Sequence, residues 1–271
     1  MAGEREPEPV VAVLAEEWAA IAALGRELTD EEWNLPSECP GWSVRDLLSH
    51  LIGIERQLLG DAPPPAVAEA PHVRNPLGAS NEAWVVARRA LPGREVLAEF
   101  EDVTGRRLGQ LRALAPEAFD AVGPSPVGEV PYRRFMEVRV MDCWVHEQDM
   151  RVATGRPGHV EGPAADIAMA HLAEPMGFVV GKKAGAAEGT GVRFELAGTP
   201  ARRIDVAVRD GRARREDLVG PTVVLRMDAE VFWRLACGRV TGEAALGAGL
   251  VGIEGDVELG GRVLGAMAFM I

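Results

Sequence analysis

Two of the five histidines, His50 and His146, fall inside strongly helical stretches. His146 stands four residues after the acid in Asp142-Cys-Trp-Val-His146-Glu-Gln-Asp149. At about 100° per residue, Asp142, His146 and Asp149 lie within about 60° of one another on one helix face. Val138, Met141, Trp144, Val145 and Val152 take the neighbouring arc, so the acidic and histidine stripe borders the buried face. An Asp and a His four residues apart can reach one ion from adjacent turns. A His from a facing helix would complete a set of two imidazoles and one carboxylate, suited to Zn²⁺, Fe²⁺ or Ni²⁺, with positions left for water or a thiolate. Asp149 is spaced to hold a ring nitrogen of His146 or to bind substrate. By spacing alone, such a pair is more often an exposed polar face than a metal site, and His50 alone reads as a satisfied histidine near a helix surface.

These residues need helices to position them. Val10, Leu14, Trp18, Ile21 and Leu24 recur at three and four, predicting a helix over 10–28. Thr29 and Glu32 form a capping-box pattern for a short helix that Pro36 ends. Pro40 and Gly41 make a turn, and Ser43 with Asp46 caps the next helix, which carries His50 and runs to Gly60. The Pro-rich stretch 61–80 reads as a binding loop or flap. Helices are predicted over 80–91 and 94–114, then a loop over 115–131 with four prolines, then a long helix from Tyr132 to Thr154 closed by Gly155. A last helical stretch covers 163–181. Residues 183–191 are small and Gly-rich, a linker. Beyond it, 192–196, 203–208 and 222–227 read as strands and 230–237 and 257–269 as helices. The predicted architecture is therefore a two-domain α+β protein, with a helical domain over 1–182 and a small α+β domain over 192–271.

Composition bounds the function. The 271 residues carry a net charge of −12 with 47% apolar and 26% charged residues, which supports a packed core and argues against a nucleic-acid partner. The acidic, Pro-containing start lacks the pattern of a secretory signal, and no uncharged apolar run is long enough to span a membrane. Cys39, Cys143 and Cys237 are isolated, without a Cys-x-x-Cys. A cytoplasmic location is expected. Cys39 and Cys143 read as structural, Cys143 being turned about 100° from Asp142, and Trp42 as packing the start of its helix. The glycines over 252–265 lack a strand–Gly-x-Gly-x-x-Gly–helix unit, so nucleotide binding is not expected.

The segment Trp33-Asn-Leu-Pro-Ser-Glu-Cys-Pro-Gly-Trp42-Ser-Val-Arg-Asp-Leu-Leu-Ser-His50, with Val140-Met-Asp-Cys-Trp-Val-His146-Glu-Gln-Asp149-Met-Arg151 downstream, resembles the mycothiol-dependent maleylpyruvate isomerase family. The motifs cover the first 155 or so residues. The resemblance implies an actinobacterial, DinB-like four-helix bundle followed by a sterol-carrier-like α+β domain. It also implies that His50, Asp142 and His146 hold a divalent metal, Zn²⁺ first, and that mycothiol is the thiol cosubstrate. The family pattern has Glu where this sequence has Asp142, one methylene shorter, which argues for a shifted metal position and against maleylpyruvate as substrate. The family isomerase also uses an Arg of its C-terminal domain. Arg262 is the candidate here, with a solvated Arg on a terminal helix as the alternative.

The expected activity is addition of a metal-activated thiolate to a small electrophilic substrate. Collapse after bond rotation gives cis–trans isomerisation, whereas retention gives an S-conjugate. A metal-hydroxide hydrolase on the same scaffold and a non-catalytic binder of a small apolar ligand are the rivals.

Overall fold

The computed structural model describes residues 8–65 and 70–270. The chain divides into two compact units, Met1–His159 and Val160–Ile271. The first unit is built on α1 (Pro9–Glu27), α2 (Val44–Leu58), α3 (Pro76–Val86), α4 (Gly93–Ala113) and α5 (Tyr132–Thr154). Helices α1, α2, α4 and α5 form a four-helix bundle, and α3 packs on α2. Leu14, Ile21, Leu47, Leu48, Leu51, Ile52, Phe100 and Met136 are fully buried between them. Each apolar stripe thus pays the entropy of ordering its helix by facing another stripe.

The local signals act as expected at the helix ends. The backbone N–H of Asp46 donates to Ser43 Oγ at 3.3 Å, and that of Ser43 donates to Asp46 Oδ2 at 3.0 Å, a complete capping box on α2. Thr29 and Glu32 exchange the same pair of bonds ahead of a short 3₁₀ turn, Glu32–Asn34. Gly155 closes α5 at φ 64° in the left-handed region. The expected loop over 61–80 is shorter, because Asn75 caps α3 and Pro76 begins it; residues 66–69 of that loop lie outside the described residues. The loop expected over 115–131 is instead a 3₁₀ turn, Pro116–Asp120, and a hairpin of β1 (Val122–Ser125) with β2 (Gly128–Pro131).

The second unit opens with α6 (Pro163–Ala173) and α7 (Met176–Phe178), the latter widening into a π turn over Val179–Lys183. Pro175 has no N–H to continue α6, so the single helix expected over 163–181 is broken there. Strands β3 (Gly191–Ala197), β4 (Arg202–Arg209), β5 (Arg212–Arg215), β6 (Val223–Asp228) and β7 (Val251–Gly255) form one sheet in the order β5-β4-β3-β6-β7. Only β3 and β6 are parallel, with Phe194 opposite both Ile204 and Leu225. Helices α8 (Ala229–Ala236), α9 (Gly242–Gly247) and α10 (Val257–Ala266) complete the unit. The division of the chain thus falls at 159/160, and the small-residue stretch 183–191, expected as a linker, lies inside the second unit. There Ala184 and Ala186 donate to the carbonyls of Val179 and Val180.

Candidate metal centre

Helix α5 is buried almost all round from Val138 to Met150. Its polar residues in that stretch are therefore held in place by partners inside the bundle. Asp142 presents Oδ1 to His146 Nε2 at 3.7 Å, one turn along the same helix, and Oδ2 to His50 Nε2 at 3.4 Å across from α2. The two imidazoles meet edge to face, with centroids 4.9 Å apart. His50, Asp142 and His146 each bring one ligand atom to within 4.8 Å of the others. The three residues expected to act together are brought together.

Two features bear on whether this set could hold a cation. His146 Nδ1 lies 3.1 Å from Asp149 Oδ2, which leaves Nε2 directed to the Asp142 side. His50 turns Nε2 to the Asp142 carboxylate, and its Nδ1 is buried with no hydrogen-bond partner among the described residues. Two imidazoles and one carboxylate fit a divalent transition metal with coordination positions to spare. Burial holds the His50 imidazole below its usual range, against the pull of Asp142. Burial also opposes charge on Asp142, but the Arg139 guanidinium and the two imidazoles bring its carboxyl well below the usual range.

Arg139 was not singled out from sequence, and neither was the network behind it. It donates to Asp142 Oδ2 and, through Nε, to Glu55 Oε1 at 2.9 Å. Glu55 takes Arg107 Nε on its other oxygen at 3.3 Å, and Arg107 reaches Tyr132 Oη. Glu55, Arg107 and Arg139 are each at most 3% exposed. A line of buried charges therefore runs from α4 through α2 to α5 and ends on the Asp142 carboxylate.

The turn before α2 supplies a wall. The Trp42 ring lies 5.3 Å from the His50 ring and 6.2 Å from that of His146. Its Nε1 donates to Glu82 Oε2 at 2.8 Å, and His72 Nε2 and Arg89 also engage the Glu82 carboxylate. Gly41 permits this turn, for its φ is 79° and a β-carbon there would lie 2.6 Å from His72 Nδ1. The Cys39 thiol, at 3.4 Å, donates to Asp149 Oδ2. Cys143 is fully buried beside Arg139, and burial pushes its thiol well above its usual range, which suits a core cysteine and not a nucleophile. Arg262 lies on α10 of the second unit, donating to the Ala184 carbonyl at 3.1 Å and to Glu258 at 2.9 Å.

Among the described residues no helix is long and apolar enough to cross a membrane. The family described as mycothiol maleylpyruvate isomerase N-terminal domain matches residues 14–151, and the MDMPI C-terminal domain matches residues 164–262. Two uncharacterized proteins of Mycobacterium tuberculosis, from strains CDC 1551 and H37Rv, are each 28% identical over 137 residues, 51% of this chain. The chain spans 63% of the length of these curated relatives. A crystal structure of the mycothiol-dependent maleylpyruvate isomerase aligns with TM-score 0.55 and 18% identity over 86% of this chain and 89% of that one. A mutant of that enzyme aligns with TM-score 0.56 and 17% identity over the same shares. The likeness extends across both units of the fold, and with both family matches in chain order the chain belongs to the mycothiol maleylpyruvate isomerase family.

Proposed function

We propose that this chain is a metal- and thiol-dependent enzyme that uses mycothiol to isomerise, or to conjugate, a small electrophilic substrate. The observation that carries the proposal is the convergence of His50, Asp142 and His146 from two helices onto one point. A divalent ion held by these three residues, Zn²⁺ by donor type, supplies a Lewis acid that lowers the pKa of a thiol toward neutrality.

The chain's own residues do the rest. Asp149 fixes the orientation of His146, and Arg139 keeps Asp142 ionised and holds one of its oxygens. Trp42 covers both imidazoles and limits water on that side. In the reaction the thiolate sulfur forms a bond to an electrophilic carbon of the substrate, and the electron pair of the double bond moves onto the conjugated carbonyl. Rotation about the resulting single bond and expulsion of the thiolate give the isomer, whereas protonation of the adduct gives the S-conjugate. Arg262 is the proposed arginine of the C-terminal domain for an anionic substrate.

The shorter reach of Asp142, against the Glu of the family pattern, favours a substrate other than maleylpyruvate. Metal analysis of the purified protein, followed by turnover of small electrophiles with and without mycothiol, tests the proposal. Thiol-dependent turnover that disappears in His146→Ala supports it. Turnover indifferent to thiol would replace it with hydrolysis, and a co-purified apolar ligand without turnover would replace it with binding.

A further inference from the structure

Glu147 directly follows His146 and so projects about 100° around α5 from it. It faces Glu17 of α1, the helix packed against α5. Both carboxylates are 0% exposed, and neither oxygen of Glu17 has a hydrogen-bond partner among the described residues. A buried ionised carboxylate with nothing to answer it is among the costliest arrangements in a protein interior. His159, beyond the end of α5, completes the group. Its Nδ1 lies 2.6 Å from Glu147 Oε2 and 3.8 Å from Glu17 Oε2.

His159 is pinned in an unfavourable conformation to reach this position. Its φ is 53°, in the left-handed region that a β-carbon disfavours. Its carbonyl accepts from Trp144 Nε1 at 3.0 Å and from Gln148 Nε2 at 3.4 Å, both on α5. The backbone is thereby tied to the helix at the level where the imidazole meets the two carboxylates.

The charges do not balance. Arg151 answers Glu147 through Oε1, with its Nε at 2.8 Å, and leaves Oε2 for His159. Glu16, exposed on α1, lies close enough to act on His159 through its charge. The Glu147 contact raises the His159 imidazole above its usual range, and once an ion displaces the ring proton the carboxylates of Glu16, Glu17 and Glu147 exceed the one guanidinium by two negative charges. A single divalent cation supplies that difference. The cluster is also reachable, for the His159 side chain is 29% exposed while the two buried carboxylates lie behind it.

We propose that Glu17, Glu147 and His159 form a second divalent-metal site, separate from the His50–Asp142–His146 centre, binding through a Glu17 oxygen, Glu147 Oε2 and His159 Nδ1. The ligand atoms lie within 4.8 Å of one another. The two His159 distances bracket the separation of roughly 3.3 Å expected between neighbouring ligands bound at about 2.0–2.1 Å in a tetrahedral site. Two carboxylates and one imidazole without a thiolate select Zn²⁺, Mn²⁺ or Fe²⁺ over Cu(I). An ion there clamps α1 to α5 one residue from a ligand of the first centre. Without it, burial and Glu147 push the Glu17 carboxyl well above its usual range, and the rival occupant is a proton shared by the pair.

The test counts ions. Full-length protein stripped with a chelator is titrated with Zn²⁺ alone, and bound zinc per chain is measured for the parent and for Glu17→Gln, His159→Ala and His146→Ala. The site predicts two ions for the parent and one for each single variant, with none left in Glu17→Gln combined with His146→Ala. His146→Ala reports on the first centre alone. A parent count that His146→Ala does not lower would end the earlier reading and leave this one standing. A count that Glu17→Gln and His159→Ala both leave equal to the parent's overturns the second site. If Glu17→Gln fails to fold, His159→Ala decides by itself, because its partly exposed ring can be truncated without opening the core. An unchanged count together with a higher melting temperature for Glu17→Gln would assign the pair to a shared proton and also overturn the proposal.

Discussion

His146 and Asp149 lie one turn apart on α5 with Nδ1 and Oδ2 at 3.1 Å, and the Cys39 thiol donates to that same oxygen at 3.4 Å. The contact occupies Nδ1 and leaves Nε2 facing Asp142, the nitrogen that the proposed metal would take. Asp149→Asn should therefore keep the fold but weaken Zn²⁺ binding by about 10–100-fold, since the amide supports His146 without the carboxylate's charge. Isothermal titration of the variant against the parent measures this. Equal affinity would remove Asp149 from any role behind the ligand.

Asp142 is the point of departure from the family pattern. Asp142→Glu should retain zinc and change turnover, because the ligand type is kept while the ion moves by the length of a methylene. A displacement near 1 Å can cost about a hundredfold in rate. Asp142→Ala should weaken binding strongly, leaving two imidazoles with no carboxylate between them beside an Arg139 that has lost one acceptor. If Asp142→Ala binds zinc as tightly as the parent, Asp142 is not a ligand.

Glu55 holds two buried guanidiniums, Arg107 and Arg139. Glu55→Ala leaves both without their shared anion and should destabilise the helical unit by about 3–5 kcal/mol. Urea unfolding followed by helical circular dichroism gives the value. A loss under about 1 kcal/mol would show that water or a rearranged Asp142 takes over the role.

In the second unit the Asp205 carboxylate accepts two bonds from Arg193 at 2.8 Å and the Leu218 N–H at 2.9 Å. The Arg193 bonds hold its pKa below the usual value in the folded state. A depressed folded pKa stabilises above the unfolded pKa, near 3.9 for Asp, and that stability is lost as pH falls from there through the folded value. Asp205→Asn should cost about 2 kcal/mol at pH 7, and the gap between variant and parent should narrow below about pH 4. Thermal melts of both proteins at pH 7 and pH 3 check it; a gap that stays constant would show that the charge contributes nothing.

Much of the helical unit was legible because its signals are local. Ser43 with Asp46 and the left-handed Gly155 mark ends that neighbouring residues decide by themselves. His50, Asp142 and His146 stood out by spacing and by family resemblance together, and neither alone placed α2 against α5. The missed elements depend on partners distant in sequence. Val122-Gly-Pro-Ser125 carries no strand pattern, and pairing with Gly128–Pro131 makes it one. Arg212–Arg215 alternates nothing apolar and is held as an edge strand by β4. Arg139 and Glu55 were invisible as a pair because a charge run reads as a solvated face until the facing helix is known. The division of the chain was misplaced for a similar reason. The glycines over 183–191 suggest a tether, but several of their neighbours are bound within the second unit, whereas the break at 159/160 falls in Gly155-Arg-Pro-Gly-His-Val-Glu-Gly-Pro163, a shorter Gly- and Pro-rich stretch that competes with it.

Burial of α5 on nearly every side bears on how such a chain can vary in length. One residue inserted between Asp142 and His146 would turn everything beyond it by about 100°. Asp142 would part from His146, and Glu147 would leave Glu17, with no solvent-facing arc to absorb the slip. Related chains that keep this centre should therefore place their insertions and deletions in the 61–75 and 115–131 connections, and α5 should read in every one of them as an ungapped ruler.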